Sequence, residues 1–87
     1  MKVVIVGAAE VGTHLAKLLA RENMDVTLVD SDPEQVGQLT FYNIMTLIGS
    51  PTSINDLKEA GVSNADLFIA VTPVESINIH ACILAAN

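Results

Sequence analysis

Val3, Val4, Ile5 and Val6 follow one another without a polar residue and stop at Gly7. A strand with one wet face alternates apolar and polar residues, so this unbroken β-branched run predicts a strand buried on both faces. A sheet containing such a strand must be covered on each side. The next residues supply one cover: Val11, Leu15, Leu18 and Leu19 recur at i, i+4, i+7 and i+8, with Lys17 and Arg21 off that stripe. The spacing predicts a helix over about residues 11–22 with its apolar stripe toward the sheet.

The alternation continues. Val26 to Val29 read as a second strand with Asp30 at its carboxyl end. Asp32-Pro33-Glu34-Gln35 offers an N-cap, a proline for the first helical position and a capping-box partner, which predicts a short second helix. Ile44 to Ile48 form a third strand stopped by Gly49-Ser50-Pro51. Ser53 and Asp56 repeat the capping-box spacing before Ile54, Leu57 and Ala60, and Gly61 fits the position after that helix's C-cap. Leu67 to Val71 form a fourth strand, and Thr72-Pro73-Val74-Glu75 reads as a third cap-plus-proline helix start. The order is βαβαβαβα. Strands joined by helices of this length run parallel, and right-handed crossovers put helices on both faces. The expected architecture is a doubly wound α/β sheet of strand order 3-2-1-4. Ile77 to Asn87 is still helix-like and uncharged at its end, without a glycine cap or a basic last turn. Residues 1–87 are therefore expected to be the N-terminal part of a single domain, cut before strands 5 and 6.

Composition narrows the function. At 87 residues with 51% hydrophobic and 16% charged side chains, the chain can fill one globular core. Lys plus Arg number 4 against 10 for Asp plus Glu, a net charge of −6 that argues against direct binding of nucleic acid or anionic lipid. The single Cys82 can make no internal disulfide and fits a reducing cytoplasm. Cys82 reads as a small core residue, and Met24 and Met45 as core or turn filler. The uncharged run from Gln35 to Asn55 is interrupted by Gly37, Gly49 and Pro51 and does not read as a membrane span. Met1 to Val6 breaks at Gly7, well short of a signal-peptide core.

The chemistry lies in the turn Gly7-Ala8-Ala9-Glu10-Val11-Gly12, between the first strand and the first helix. There a dinucleotide fold sets its pyrophosphate against unpaired amides at the positive end of a helix dipole. Gly7 permits the tight turn and Gly12 the close packing of helix on strand, while Ala9 stands where a second glycine is usual. Asp30 strengthens the reading, because a carboxylate there can accept hydrogen bonds from both hydroxyls of an adenosine ribose and repel a 2′-phosphate. Together they favour NAD(H) over NADP(H). Bland roles stay open beside these: the glycines can serve only the turn, Asp30 can help cap the turn before Asp32, and Glu10 can simply answer the helix dipole. His14 and His80 read as structural or solvated, and no catalytic constellation of Ser, His, Cys or paired carboxylates can be assembled.

The opening MKVVIVGAAEVGTHLAKLLARENMDVTLVDSDPEQV and the later NIMTLIGSPTSINDLKEAGVSNADLFIAVTPVESINIHACILA resemble the N-terminal nucleotide-binding lobe of the RCK/KTN type, the TrkA-N domain of bacterial potassium-uptake regulators. The most specific parts are the aspartate followed by DP after strand 2, the G-x-x-[TS] turn after strand 3, and NADLFIAVT. The resemblance implies a Rossmann-like domain in the cytoplasm that binds NAD(H) or another adenine nucleotide. It also implies a homo-oligomer at the inner face of the membrane, on a potassium channel or transporter subunit, with nucleotide occupancy converted into gating. Carried over by position, Gly7, Ala8, Ala9, Glu10, Val11 and Gly12 would meet the pyrophosphate. Asp30 and Ser31 would meet the adenosine ribose, Gly49 and Ser50 the adenine edge, and Thr72 the far side of the crevice. Branches resembling ATP-responsive regulators carry arginine where this chain has Glu10, and a carboxylate there would repel a γ-phosphate. Ser50-Pro51 and Glu75-Ser76 also depart from the family pattern, and the regulatory lobe that typically follows is absent from these residues.

The expectation is a non-catalytic NAD(H)-sensing regulatory domain of a potassium-uptake system. Its rivals are the amino-terminal fragment of an NAD-dependent oxidoreductase and a degenerate lobe that only scaffolds assembly. Self-association is also expected, because the outer edge of the fourth strand and the apolar last helix, with Ile77, Ile79, Ile83 and Leu84, lack cover in a four-stranded sheet.

Overall fold

In the computed structural model, residues 1–37 and 43–86 are described. Residues 38–42, inside the uncharged 35–55 run, and Asn87, at the end of the last apolar stretch, lie outside them. The elements are β1 (Lys2–Val6), α1 (Glu10–Arg21), β2 (Asp25–Asp30), α2 (Pro33–Gly37), β3 (Met45–Ile48), α3 (Ile54–Glu59), a 3-10 turn (Val62–Asn64), β4 (Leu67–Ala70) and α4 (Glu75–Ala85). The strands form one parallel sheet of order β3-β2-β1-β4, as the alternation predicts. In register, Val4 of β1 faces Thr27 of β2 and Phe68 of β4.

β1 is the centre of the molecule. Val3, Val4, Ile5 and Val6 are each fully buried, and they divide by parity between two cores. Val3 and Ile5 join Val26, Leu28, Ala16 and Val36 under α1 and α2. Val4 and Val6 join Val29, Leu57, Ala60 and Ala81 under α3 and α4. The period of two along the strand thus becomes two apolar layers, each worth about 1.5 to 3 kcal/mol per large side chain removed from water.

Several local expectations are corrected. The buried row of α1 is Gly12 and Ala16 with Leu15 and Leu19 packed beside it, whereas Val11 and Leu18 are 63% and 44% exposed. The helix lies so close to β1 that its smallest residues face the sheet, which rotates the larger ones outward. Cys82 is exposed and Ala81 buried, because α4 is apolar nearly all round and its pattern selects no face. Met45 opens the edge strand β3 and is exposed, while Met24 packs against the core. α4 starts at Glu75 with Val74 as N-cap and no capping side chain, so Thr72-Pro73 precedes the helix. The Ser53 cap is present, with Asp56 N donating to Ser53 Oγ at 3.3 Å, but the Asp56 carboxylate accepts from Ser50 N at 2.8 Å. Gly61 follows the α3 C-cap, Ala60, as expected. Ile79 and Ile83 are exposed on α4, and no helix among the described residues is long and apolar enough to cross a membrane.

The entry of α1 depends on two glycines. Gly7 has φ +105°, and a Cβ on it would stand 2.8 Å from Thr72 N and 2.9 Å from Val71 C. A Cβ on Gly12 would fall on the Gly7 carbonyl oxygen. Neither obstacle is a side chain that could swing away. Gly12→Ala should therefore cost at least the ~1 to 3 kcal/mol typical of an overfilled core. The atoms nearest a Cβ on Gly49 belong to the Asp56 side chain, at 3.1 Å, and Gly49→Ala should cost less. Urea melts of the two variants check this order, and a Gly12→Ala protein as stable as the parent would contradict it.

Candidate functional site

The β1 ladders extend one residue beyond the strands: Gly7 N donates to Val29 O at 2.8 Å, and Val71 N donates to Val6 O at 2.9 Å. Beyond that point the chain from β1 turns to α1 on one face and the chain from β4 turns to α4 on the other. The divergence opens a crevice at the carboxyl end of the sheet, where open α/β sheets bind ligands. It holds about 300 Å³ and is lined by Gly7, Asp30, Ser31, Ser50 and Thr72, together with Pro51, Thr52, Pro73, Val74 and Ile77.

The remaining residues of the proposed set take other places. Ala9 and Glu10 line a neighbouring hollow of about 420 Å³ at the start of α1, with Thr13, His14, Lys17 and Gln35. Ala8 is fully buried, its N–H donated to Asp30 Oδ2 at 2.7 Å and its carbonyl accepting from Thr13 Oγ1 at 2.6 Å. It has no amide to offer a phosphate. Val11 points to solvent, and Gly12 is buried behind Gly7. Gly49 lies beside the crevice, with its N–H donated to Asp30 O at 3.0 Å.

The donor end of the site is the first turn of α1. Ala9 is the N-cap, in extended conformation (φ −69°, ψ −168°), and among the described residues the helix start has no side-chain cap hydrogen bond. The first turn-closing bond runs from Thr13 N to Ala9 O at 3.0 Å. Amides at the front of this 12-residue helix therefore face outward with the positive end of its dipole behind them.

Asp30 provides acceptors on the adjacent wall. Its Oδ2 takes the Ala8 N–H and its Oδ1 takes the Asp32 N–H at 2.8 Å, so the carboxylate ties the β1–α1 turn to the β2–α2 turn. The turn-capping role is thus present. Each oxygen keeps a further lone pair, so a diol can still be accepted. Asp32 in turn caps α2, accepting from Glu34 N at 3.0 Å. Ser50 is engaged by its surroundings: its N–H goes to Asp56 Oδ2, and its Oγ pairs with Thr52 Oγ1 at 3.2 Å and accepts from Thr52 N at 3.2 Å.

On the far wall the sequence reading missed Asn78. Its Oδ1 accepts from Thr72 N at 2.8 Å and from Thr72 Oγ1 at 2.6 Å, and its Nδ2 donates to Thr72 O at 3.0 Å. The available signal was a lone amide between Ile77 and Ile79. Asp56 was read only as a capping-box partner, and nothing in the spacing distinguishes that from a bond to Ser50. Among the described residues no group of three or more His, Cys, Asp or Glu side chains could hold a metal ion.

A parallel doubly wound sheet with an uncapped helix at its switch-point crevice defines a Rossmann-like nucleotide-binding fold. Residues 3–87 match the family model of the TrkA-N domain, and the chain belongs to that family. It is 43% identical over 83 residues to the Trk system potassium uptake protein TrkA of Haemophilus influenzae, covering 94% of this chain and 18% of that protein. A Trk system potassium uptake protein TrkA homolog of Methanothermobacter thermautotrophicus is 38% identical, over 97% of this chain and 39% of the relative. The chain thus spans only a minor part of the curated relatives it matches. Among solved structures it superposes on the Kef CTD of Shewanella denitrificans in AMP-bound form with TM-score 0.84 and 21% identity, covering 99% of this chain and 52% of that one. It also superposes on ChuY, an anaerobillin reductase of Escherichia coli O157:H7, with TM-score 0.76 and 16% identity over 99% and 45% of the two chains. These two likenesses establish the fold.

Two variants test the local geometry. Asp30→Ala leaves the buried Ala8 N–H without its acceptor and should lower stability by ~1 to 3 kcal/mol, with Asp30→Asn in between because it keeps one acceptor oxygen. A melt unchanged in Asp30→Ala would mean the tie carries no load. Ala9→Gly replaces a poor N-cap by a better one rather than a helix-interior residue, so its melting temperature should equal or exceed the parent's. A loss above ~1 kcal/mol in a urea melt would contradict the N-cap assignment.

Proposed function

We propose that this chain is an NAD(H)-binding regulatory domain of a Trk-type potassium-uptake system and catalyses no reaction itself. The observation that carries the reading is the pairing of the uncapped α1 N-terminus with the Asp30 carboxylate across one turn. The helix end suits the pyrophosphate, while Asp30 accepts from a ribose diol and repels a 2′-phosphate. Glu10, exposed in the first turn, adds negative charge beside the phosphates and repels the more highly charged triphosphate of ATP more than the pyrophosphate of NAD(H). Gly7, Ala9, Glu10 and Val11 then surround the pyrophosphate, with Ser31 beside the ribose, Ser50 near the adenine edge and Thr72 on the far side.

The regulatory part of the reading is supported by family membership and by the names of the two relatives above, both Trk system potassium uptake proteins. In this role residues 1–87 form the N-terminal part of a larger cytoplasmic assembly. It would act as a homo-oligomer against a membrane potassium channel or transporter subunit, where occupancy of the crevice changes gating. The exposed Ile79 and Ile83 of α4 and the open edge of β4 are apolar surface suited to such contacts.

Calorimetric titration of the full-length protein tests the ligand. NADH should bind more tightly than NADPH, and Asp30→Asn should narrow that gap by about tenfold, the equivalent of one charge-assisted hydrogen bond. Equal affinities for NADH and NADPH in the parent protein would remove the ribose role from Asp30. Tighter binding of ATP than of NADH would contradict the assignment of the dinucleotide.

A further inference from the structure

The three hydrogen bonds between Asn78 and Thr72 settle more than the loop conformation. A backbone N–H only donates and a backbone carbonyl only accepts, so the bonds from Thr72 N and to Thr72 O fix which end of the Asn78 amide is oxygen. That oxygen cannot donate. The Thr72 hydroxyl, 2.6 Å from it, must therefore supply the proton, and the competing acceptor, Val74 O, is farther away at 3.1 Å. What Thr72 Oγ1 has left is acceptor capacity. One lone pair faces the Val74 N–H at 3.2 Å, and the other is free for the crevice that Thr72 lines.

The crevice then has a definite order across it. Asp30 and Thr72 both line it as acceptors, and the front of α1, with its donors, opens on the neighbouring hollow. We propose that Asn78 is a positioning residue that holds Thr72 as a hydrogen-bond acceptor. The far end of the crevice then receives a ligand group bearing O–H or N–H and disfavours a terminal phosphate. This inference rests on the nucleotide reading above and sharpens it. The second half of a dinucleotide, with sugar hydroxyls and a carboxamide, brings such donors. The end of a nucleoside triphosphate brings only acceptor oxygens, and two acceptors face to face leave both without a proton. Discrimination here is independent of Asp30, which distinguishes a hydroxyl from a phosphate at the opposite end.

The experiment measures the ratio of NADH to ATP affinity by calorimetry on the full-length protein and on Thr72→Val, Asn78→Leu and the double variant. Asn78→Leu leaves Val74 O as the hydroxyl's nearest protein acceptor, at 3.1 Å, and a charged phosphate oxygen accepts more strongly than that carbonyl, so the hydroxyl turns to ATP and the preference for NADH should fall about 5- to 10-fold. Thr72→Val removes the acceptor and should lower the ratio similarly, and adding Asn78→Leu to it should change the ratio no further. A purely structural role for Asn78 would weaken both ligands in proportion and leave the ratio untouched, which would overturn the proposal. A further fall of the ratio in the double variant would overturn it as well. Should Asn78→Leu fail to fold by circular dichroism, Thr72→Val decides alone, an unchanged ratio being the contrary result. If the parent binds neither probe, the nucleotide reading has failed and takes this inference with it.

Discussion

The carbonyl of Gly7 lies where a side chain on Gly12 would begin, and the rest of the site depends on that contact. It lets α1 start directly above the end of β1 with no gap for a methyl group. The same approach buries Gly12 and Ala16, turns Val11 and Leu18 outward, and sets the first turn of α1 over the hollow beside the crevice. A wider helix–strand spacing would fill the buried row with leucine and withdraw that turn. Packing and ligand chemistry are here one constraint on two glycines.

Hydrogen bonds from side chains then fix the loops around the opening. Asp30 joins the turns after β1 and β2, Asp56 holds the turn after β3 through Ser50, and Asn78 holds the turn after β4 through Thr72. Each tie spends a backbone donor that a ligand could otherwise use, so the donors left for an anion concentrate at α1. The acceptors Asp30 and Thr72 line the crevice beside it. A crevice ordered in this way is shaped before any ligand arrives, which reduces the ordering cost of binding.

The parallel sheet and its order were legible because β1 carries its double burial in an unbroken apolar run, and because each helix is announced by a spacing or a cap. Asp30 and the turn from Gly7 to Gly12 were legible because their position after a strand gives them meaning. Other features were not. Cys82 and Ala81 are neighbours in a helix whose apolar residues mark no single face, so periodicity could not say which faces the sheet. Thr72-Pro73 looks like a helix start, but the Thr72 hydroxyl is drawn to Asn78, and the helix begins at Glu75. Asp56 fits a capping box by spacing, yet it reaches the Ser50 amide instead. In each case two local partners compete for one group, and only the fold determines which is nearer.

The central claim is that the crevice at the ends of β1, β2 and β4 holds a dinucleotide. A crystal structure of the full-length protein grown with NADH tests it most directly. The account predicts the adenosine ribose against Asp30, the pyrophosphate at the start of α1 and the second ribose toward Thr72. A nucleotide bound elsewhere on the protein, or in this crevice with its phosphates against Asp30, would contradict it.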